Sequence, residues 1–290
     1  MINALVTGGA GFIGSNLVDR LLDRGDMVVV VDNETANNHK ETYWNDNAIN
    51  VKADVNDKGF DNIATNIDCI FHLAADISIQ YCIENPAATY KNNVYGLLNV
   101  LETARKNDIK KVIFSSTAAI YGLTDKVCVE TDTPDPLNPY SVSKLAGEHL
   151  MKMYHDLYGI QTASLRYFNA YGPRQSDTGQ YAPVVGIFQK QKENNSALTI
   201  VGDGEQTRDF VHVYDIADAN ILLAESDATG VYNVGTGVEY SVNQIANMIS
   251  DVQRNIPARV GEARRSLSDS SKIRSLGWEP KIKLEDWVNA

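Results

Sequence analysis

Tyr140-Ser-Val-Ser-Lys144 sets a phenol and an ammonium four residues apart, so on a helix the two side chains share one face. A phenol ordinarily keeps its proton to about pH 10, and serving as a base at neutral pH requires roughly 4 kcal/mol of bias toward phenolate. A lysine held a few ångströms away supplies part of that bias. By itself the spacing also fits an exposed pair on a helix surface. The chain adds two features upstream: the hydroxyl run Ser115-Ser-Thr117 and the glycine loop Thr7-Gly-Gly-Ala-Gly-Phe-Ile-Gly14.

That loop follows an apolar strand and opens a helix with apolar periodicity, which is the context a dinucleotide fingerprint requires. Gly8 and Gly11 permit a tight turn and close backbone approach. Gly14 lets helix and strand pack, and Phe12 and Ile13 begin the helix whose N-terminus faces pyrophosphate. The next strand ends in Asp32, near the offset expected for a ribose-binding carboxylate. A carboxylate there accepts from both ribose hydroxyls and repels a 2′-phosphate, and its neighbour is Asn33 rather than arginine, so the expected cofactor is NAD rather than NADP. Asp54-Val55, after the third strand, reads either as an adenine-edge contact or as a solvated aspartate turn.

Short apolar runs alternate with longer amphipathic ones through the first 170 residues, the pattern of repeated βαβ units around a parallel sheet. Strands are expected at 4–7, 28–32, 50–52, 69–73, 111–115 and 162–167, and helices at 13–22, 87–105 and 141–157. After Tyr171 the punctuation shifts to Gly, Pro and Asn with shorter elements. The fold class expected is α/β, a Rossmann-type doubly wound parallel sheet with a smaller α/β substrate lobe on the C-terminal side. Residues 1–170, rejoined by about 208–234, form the first lobe, and 171–207 with 235–290 form the second.

At 290 residues the chain can bury a sizeable core, and its formal net charge of −11 argues against general affinity for nucleic acid or an anionic membrane. Cys69, Cys82 and Cys128 lack metal-ligand spacing and read as reduced thiols. No metal site is expected. The N-terminus runs directly into an apolar strand with no cleavable leader pattern, and no stretch of 18 uncharged apolar residues occurs, so a cytoplasmic location is expected.

The glycine loop, Asp32, Asp54, His72-Leu-Ala-Ala75, Asn93, Ser115-Ser-Thr117, Tyr140-x-x-x-Lys144 and Arg166-Tyr-Phe-Asn169 occur in that order. Together they resemble the extended short-chain dehydrogenase/reductase family, and within it the nucleotide-sugar 4-epimerases of the UDP-glucose and UDP-N-acetylglucosamine type. The resemblance implies a Rossmann lobe that holds NAD firmly, a second lobe that closes on a UDP-sugar, and a homodimer built through a four-helix bundle. It implies that Tyr140 is the acid/base, that Lys144 binds nicotinamide ribose and lowers the tyrosine's pKa, and that Thr117 hydrogen-bonds the reacting sugar oxygen. Leu73, Ala74, Ala75, Ser115 and Tyr167 join the cofactor side. Thr117 otherwise reads as a strand-end cap, Leu73 to Ala75 as core packing, and Asn93 as either a cofactor contact or a helix-surface amide.

On the substrate side, the resemblance places Asn169 and Arg208 on the diphosphate. A guanidinium fork suits phosphate in an otherwise anionic protein, the alternative being a surface arginine paired with Asp209. Arg259-Val-Gly-Glu262 matches an Arg-x-Gly-acid motif for phosphate and uridine ribose. Ser266 stands where a bulky aromatic would exclude a 2-N-acetyl group, so UDP-N-acetylhexosamine is an expected substrate, with plain UDP-glucose or UDP-galactose also turning over. Ala118 and Ala119 occupy the positions where related 4,6-dehydratases carry Asp-Glu, which leaves reversible oxidation at carbon 4 through a 4-keto sugar. The rival readings are another NAD-dependent nucleotide-sugar oxidoreductase, or a non-catalytic dinucleotide binder, which would be expected to lack Tyr140 or Lys144.

Overall fold

The computed structural model describes residues 1–36, 41–176, 183–258 and 263–289. Seven parallel strands form the main sheet in the order β11 (Gly230–Val234), β7 (Gln161–Tyr167), β5 (Lys111–Thr117), β4 (Cys69–His72), β1 (Asn3–Thr7), β2 (Met27–Asp32) and β3 (Ile49–Lys52). From β1 the chain builds outward through β2 and β3. It then crosses back to β4 and continues the other way, so the strand order reverses between β1 and β4. Crevices at such a reversal, outside the carboxyl ends of the strands, are where doubly wound sheets bind ligands.

The central strands β1, β2 and β4 are near-continuous apolar runs because both faces are covered. On one face α1 (Phe12–Asp23) and α7 (Val213–Glu225) bury Leu17, Leu21, Ile216 and Leu223 against Val6, Val28 and Val30. On the other, α4 (Gly96–Lys106) and α5 (Pro139–Tyr158) bury Leu97, Leu101, Met151 and Tyr154 against Leu5, Ile70, Val112 and Phe114.

The run expected as one helix over 87–105 is divided. Short α2 (Ile79–Glu84) and α3 (Pro86–Tyr90) lead into a π-helical turn at Lys91–Tyr95 before α4. The inserted residue turns Asn93 inward, where it is buried.

The second lobe is a sheet of β12 (Glu239–Ser241), β10 (Thr207–His212), β14 (Arg265–Ser268) and β6 (Val127–Cys128), with β8 (Asn169–Tyr171) also paired to β10. A parallel pair, β9 (Leu198–Val201) and β13 (Gln253–Ile256), lies beside α6 (Val184–Glu193) and α8 (Val242–Ile249). Its core joins Tyr171, Val185, Phe188, Phe210 and Ile245 to Leu284 of α10 (Leu284–Val288). Short α9 (Ser271–Arg274) packs on β11. Of the segment 208–234, α7 and β11 return to the main sheet, whereas β10 belongs to the second sheet.

Candidate active site

At the reversal point Thr7 ends β1 and His72 ends β4, and the Thr7 hydroxyl lies 2.7 Å from His72 Nδ1. The glycine loop is pressed onto this edge. A Cβ on Gly8, whose φ is +68°, would lie 2.7 Å from the Ala74 nitrogen, and one on Gly14 would lie 2.1 Å from the Gly8 carbonyl oxygen. Neither position tolerates a side chain. At Gly11, by contrast, the nearest atom to an added Cβ is the Gly8 oxygen at 3.4 Å, and Gly11 caps α1 without any side-chain hydrogen bond. The amino end of α1 therefore faces the crevice with donors for a diphosphate. Phe12 and Ile13 are half-buried beside it.

Asp32 is held in place from two sides, accepting from the Ala10 nitrogen at 3.1 Å and the Glu34 nitrogen at 2.8 Å. Asn33 donates to Asp54 at 2.7 Å, and Asp54 also accepts from the nitrogen and amide of Asn56. Burial works against ionisation of Asp54, but these hydrogen bonds prevail and hold its carboxyl below the usual range. Val55 is buried with the α4–α5 core, while Leu73, Ala74 and Ala75 stay half-buried at the end of β4. The cradle that no Cβ could enter, the uncapped helix and the anchored carboxylate fit a dinucleotide lacking a 2′-phosphate.

Helix α5 carries the chemistry. Asn138 and Ser141 form a reciprocal capping box and Pro139 occupies the first turn, while Gly159 ends the helix at φ 71°. Tyr140 thus stands in the first turn, where the helix dipole favours negative charge. It is half-buried. Burial pushes the phenol up to about 12, and Thr117 is the side chain that draws its pKa down. One turn on, buried Lys144 donates to the Ser115 carbonyl at 2.7 Å and sits 4.9 Å from the centroid of the Phe114 ring. Burial pulls this ammonium down to about 7. Burial, aided by the charge of Lys144, drops His72 to about 3, so that imidazole is neutral.

Thr117 caps the turn after β5, its oxygen accepting from the Ala119 nitrogen at 3.1 Å. Asn93 donates 3.0 Å bonds to the Asp76 carbonyl and the Ser143 hydroxyl and accepts from the Asp76 nitrogen at 2.7 Å. Its amide is thereby occupied in clamping the β4 loop to α5. Ser115 is buried, and Tyr167 exchanges hydrogen bonds with Asn220 of α7.

Across the crevice, Asn169 donates to the Asp209 carbonyl at 3.0 Å. Arg208 and Ser266 are register partners on β10 and β14. Asp209 does not serve as the surface partner of Arg208. It is fully buried, and its carboxylate accepts from Thr236, Gly237 and Ser268, the last through a 2.5 Å hydroxyl bond. Ser266 is half-buried. Arg259 and Glu262 lie outside the described residues.

Arg166 lies within its motif with no task legible from sequence, and Glu148 carries no signal of its own. These two form a buried bidentate ion pair at 2.9 and 2.7 Å, to which Ser116 donates at 2.5 Å. The signal lay only in spacing, a carboxylate eight residues after Tyr140 on the same helix stripe. No helix among the described residues is long and apolar enough to cross a membrane.

The chain matches the NAD dependent epimerase/dehydratase family over residues 4–235. It is 41% identical to a putative UDP-glucose 4-epimerase of Methanocaldococcus jannaschii over 98% of this chain and 95% of that one. The solved UDP-glucose 4-epimerase of Thermotoga maritima, with UDP-glucose, superposes with a TM-score of 0.94 at 39% identity, covering 99% and 96% of the two chains. The UDP-N-acetylglucosamine 4-epimerase of Methanobrevibacter ruminantium M1, in complex with UDP-N-acetylmuramic acid, gives 0.93 at 36% identity with the same coverage. With a glycine cradle at the strand-order reversal, Tyr140 and Lys144 one turn apart on α5, and a match over most of its length, this chain belongs to the NAD dependent epimerase/dehydratase family.

Proposed function

We propose that the protein interconverts the C4 epimers of a UDP-hexose, with UDP-N-acetylglucosamine and UDP-N-acetylgalactosamine as the favoured pair and UDP-glucose and UDP-galactose as further substrates. The observation that carries this reading is the placement of Tyr140 and Lys144 one turn apart on α5, with Lys144 held on the Ser115 carbonyl, and Thr117 followed by Ala118 and Ala119 in place of any carboxyl group. NAD bound in the crevice supplies reversible hydride exchange at carbon 4. Gly8, Gly11, Gly14 and the amino end of α1 receive its diphosphate, Asp32 its adenosine ribose, and Lys144 its nicotinamide ribose.

The residues of the chain handle the proton and the geometry. Tyr140 takes the proton from the 4-hydroxyl and returns it to the same oxygen after the 4-keto sugar has turned over, while Thr117 holds that oxygen. Ala118 and Ala119 offer no acid to expel water from carbon 6, so the reaction is an isomerisation with no net redox change. Asn169 and Arg208, with Arg259 and Glu262, hold the nucleotide diphosphate about which the sugar turns. Ser266 leaves room for a 2-N-acetyl group. In this division, residues 1–170 with part of 208–234 bind NAD, and 171–207 with 235–290 bind the UDP-sugar.

A homodimer is part of the proposal. The π-helical turn before α4 exposes Tyr95 and α5 exposes Met153, Leu157 and Tyr158, with Leu157 67% exposed, and two copies pairing these segments would cover them. Light scattering of the wild type against Leu157→Glu tests it, a monomeric wild type being the contrary result. Three buried free thiols suit a cytoplasmic setting.

The deciding experiment incubates purified protein with UDP-hexoses and UDP-N-acetylhexosamines and resolves products by proton NMR. C4 epimers formed with no added NAD consumed are expected, and stoichiometric NADH release would favour a dehydrogenase instead. Ser266→Tyr should cut turnover of UDP-N-acetylglucosamine by about 10- to 200-fold while sparing UDP-glucose, the range one filled pocket can provide. Equal losses on both would remove Ser266 from the specificity pocket.

A further inference from the structure

We propose that Glu148, through its buried pairing with Arg166 and Ser116, is a positioning residue that fixes the catalytic helix on the strands carrying its partners. The inference rests on the epimerase reading above. Tyr140, Lys144 and Glu148 recur every fourth residue along α5 and so form one stripe, with Glu148 about 12 Å along the axis from Tyr140. Ser116 and Arg166 are register partners on β5 and β7, so their side chains project together from one face of the sheet.

Glu148 meets both. Its Oε1 accepts from Ser116 Oγ at 2.5 Å and Arg166 Nε at 2.9 Å, and its Oε2 accepts from Arg166 Nη2 at 2.7 Å. All three residues are at least nine-tenths buried. Ser116 stands between Ser115, whose carbonyl receives Lys144, and Thr117, the side chain that acts on the Tyr140 phenol. Fixing Ser116 therefore fixes both partners of the catalytic pair, and fixing Glu148 fixes the helix that presents that pair.

The guanidinium carries the tie onward. Arg166 Nη1 donates to the Tyr121 hydroxyl at 2.8 Å, and Tyr121 donates to Asn233 at 2.7 Å. Asn233 in turn donates to the carbonyls of Cys128 and Asp269, at the edge of the second sheet. Catalytic helix, catalytic strand and substrate lobe thus share one buried network. A displacement of 1 Å between reacting groups can cost on the order of a hundredfold in rate, so such a tie acts on turnover more than on affinity.

The test is the double variant Glu148→Leu/Arg166→Met, since a buried ion pair replaced by apolar side chains of similar volume often keeps or gains stability. With UDP-N-acetylglucosamine and UDP-glucose as substrates, a melting midpoint at or above wild type is expected. With it, kcat should fall 10- to 100-fold, KM should stay within about twofold, and the Tyr140 limb of the pH profile should be displaced. A kcat within threefold of wild type and an unmoved pH profile overturn the proposal. If the double variant fails to fold, Glu148→Gln is read by the same criteria. If wild type turns over neither sugar, the epimerase reading has failed. Ultraviolet titration of Tyr140 with NAD bound, baselined on Tyr140→Phe, then decides the positioning role: a displaced titration in the variant supports it and superimposable curves refute it.

Discussion

Lys144 on α5 and Arg166, paired with Glu148 one helical turn further along α5, are both buried cations, and the fold treats them in opposite ways. Arg166 faces a carboxylate through two parallel hydrogen bonds, stacks 4.8 Å from the Tyr121 ring centroid and donates to that phenol. Burial opposes its charge, but Glu148 outweighs burial and drives the guanidinium above its ordinary value. Lys144 receives a carbonyl and a ring face, neither of which carries charge, and burial pulls it to about 7. Tyr140 is displaced the other way, to about 12. One region is electrostatically complete and rigid. The other holds two groups away from their ordinary ionisation, as is typical where chemistry is done. A planar fork suits the first task, and a point charge whose protonation burial can tune suits the second.

The largest effect that would sharpen this contrast is expected at Tyr140. Tyr140→Phe removes the proton acceptor while leaving the ring, and turnover of UDP-hexoses should fall by about 10³-fold or more with the melting midpoint nearly unchanged. Retained turnover would remove Tyr140 from the chemistry and with it the functional contrast. Arg166→Lys probes the complete region. An ammonium cannot reproduce the fork, and a buried Glu148 left with a point charge beside Ser116 should cost about 2–4 kcal/mol of stability by denaturant unfolding. A loss below about 0.5 kcal/mol would show that the pair is not a tightly fitted element.

The two regions also differed in how far the chain disclosed them. Tyr140, Lys144 and the glycine loop were legible because local spacing dictates their geometry: a helix face in one case, a turn in which Gly8 and Gly14 admit no Cβ in the other. Glu148 was not legible, because a glutamate on a long amphipathic helix ordinarily points to solvent. Only the register that sets Ser116 beside Arg166 reveals that this one points inward. Asn93 illustrates the same limit. Periodicity indicates a helix there, but the π-helical turn that carries its amide into the β4 loop depends on a tertiary contact with Asp76 and Ser143. In the second lobe, Asp209 beside Arg208 looked like a ready ion-pair partner. Strand alternation instead buries its carboxylate among the backbone donors of Gly237 and Ser268.

The smallest effect bears on Lys144 itself, in protein stripped of NAD. Folding lowers its pKa from the ordinary lysine value near 10.4 to about 7. Between those two values the unfolded chain binds the extra proton, so folded stability gains as pH rises through that window. Below about pH 7 both states are protonated and the full cost of burying the ammonium is present. Lys144→Met carries no such group. It should therefore melt higher than wild type near pH 6, by a few degrees, with the gap closing between pH 7 and 10 as the wild-type lysine sheds its proton on folding. Arg166→Met, run alongside, should instead melt well below wild type across the same range, because the charge it removes is already neutralised by Glu148. A gap for Lys144→Met that stays constant with pH would mean that its ammonium is as well satisfied as the guanidinium of Arg166, and the contrast between the two regions would fall.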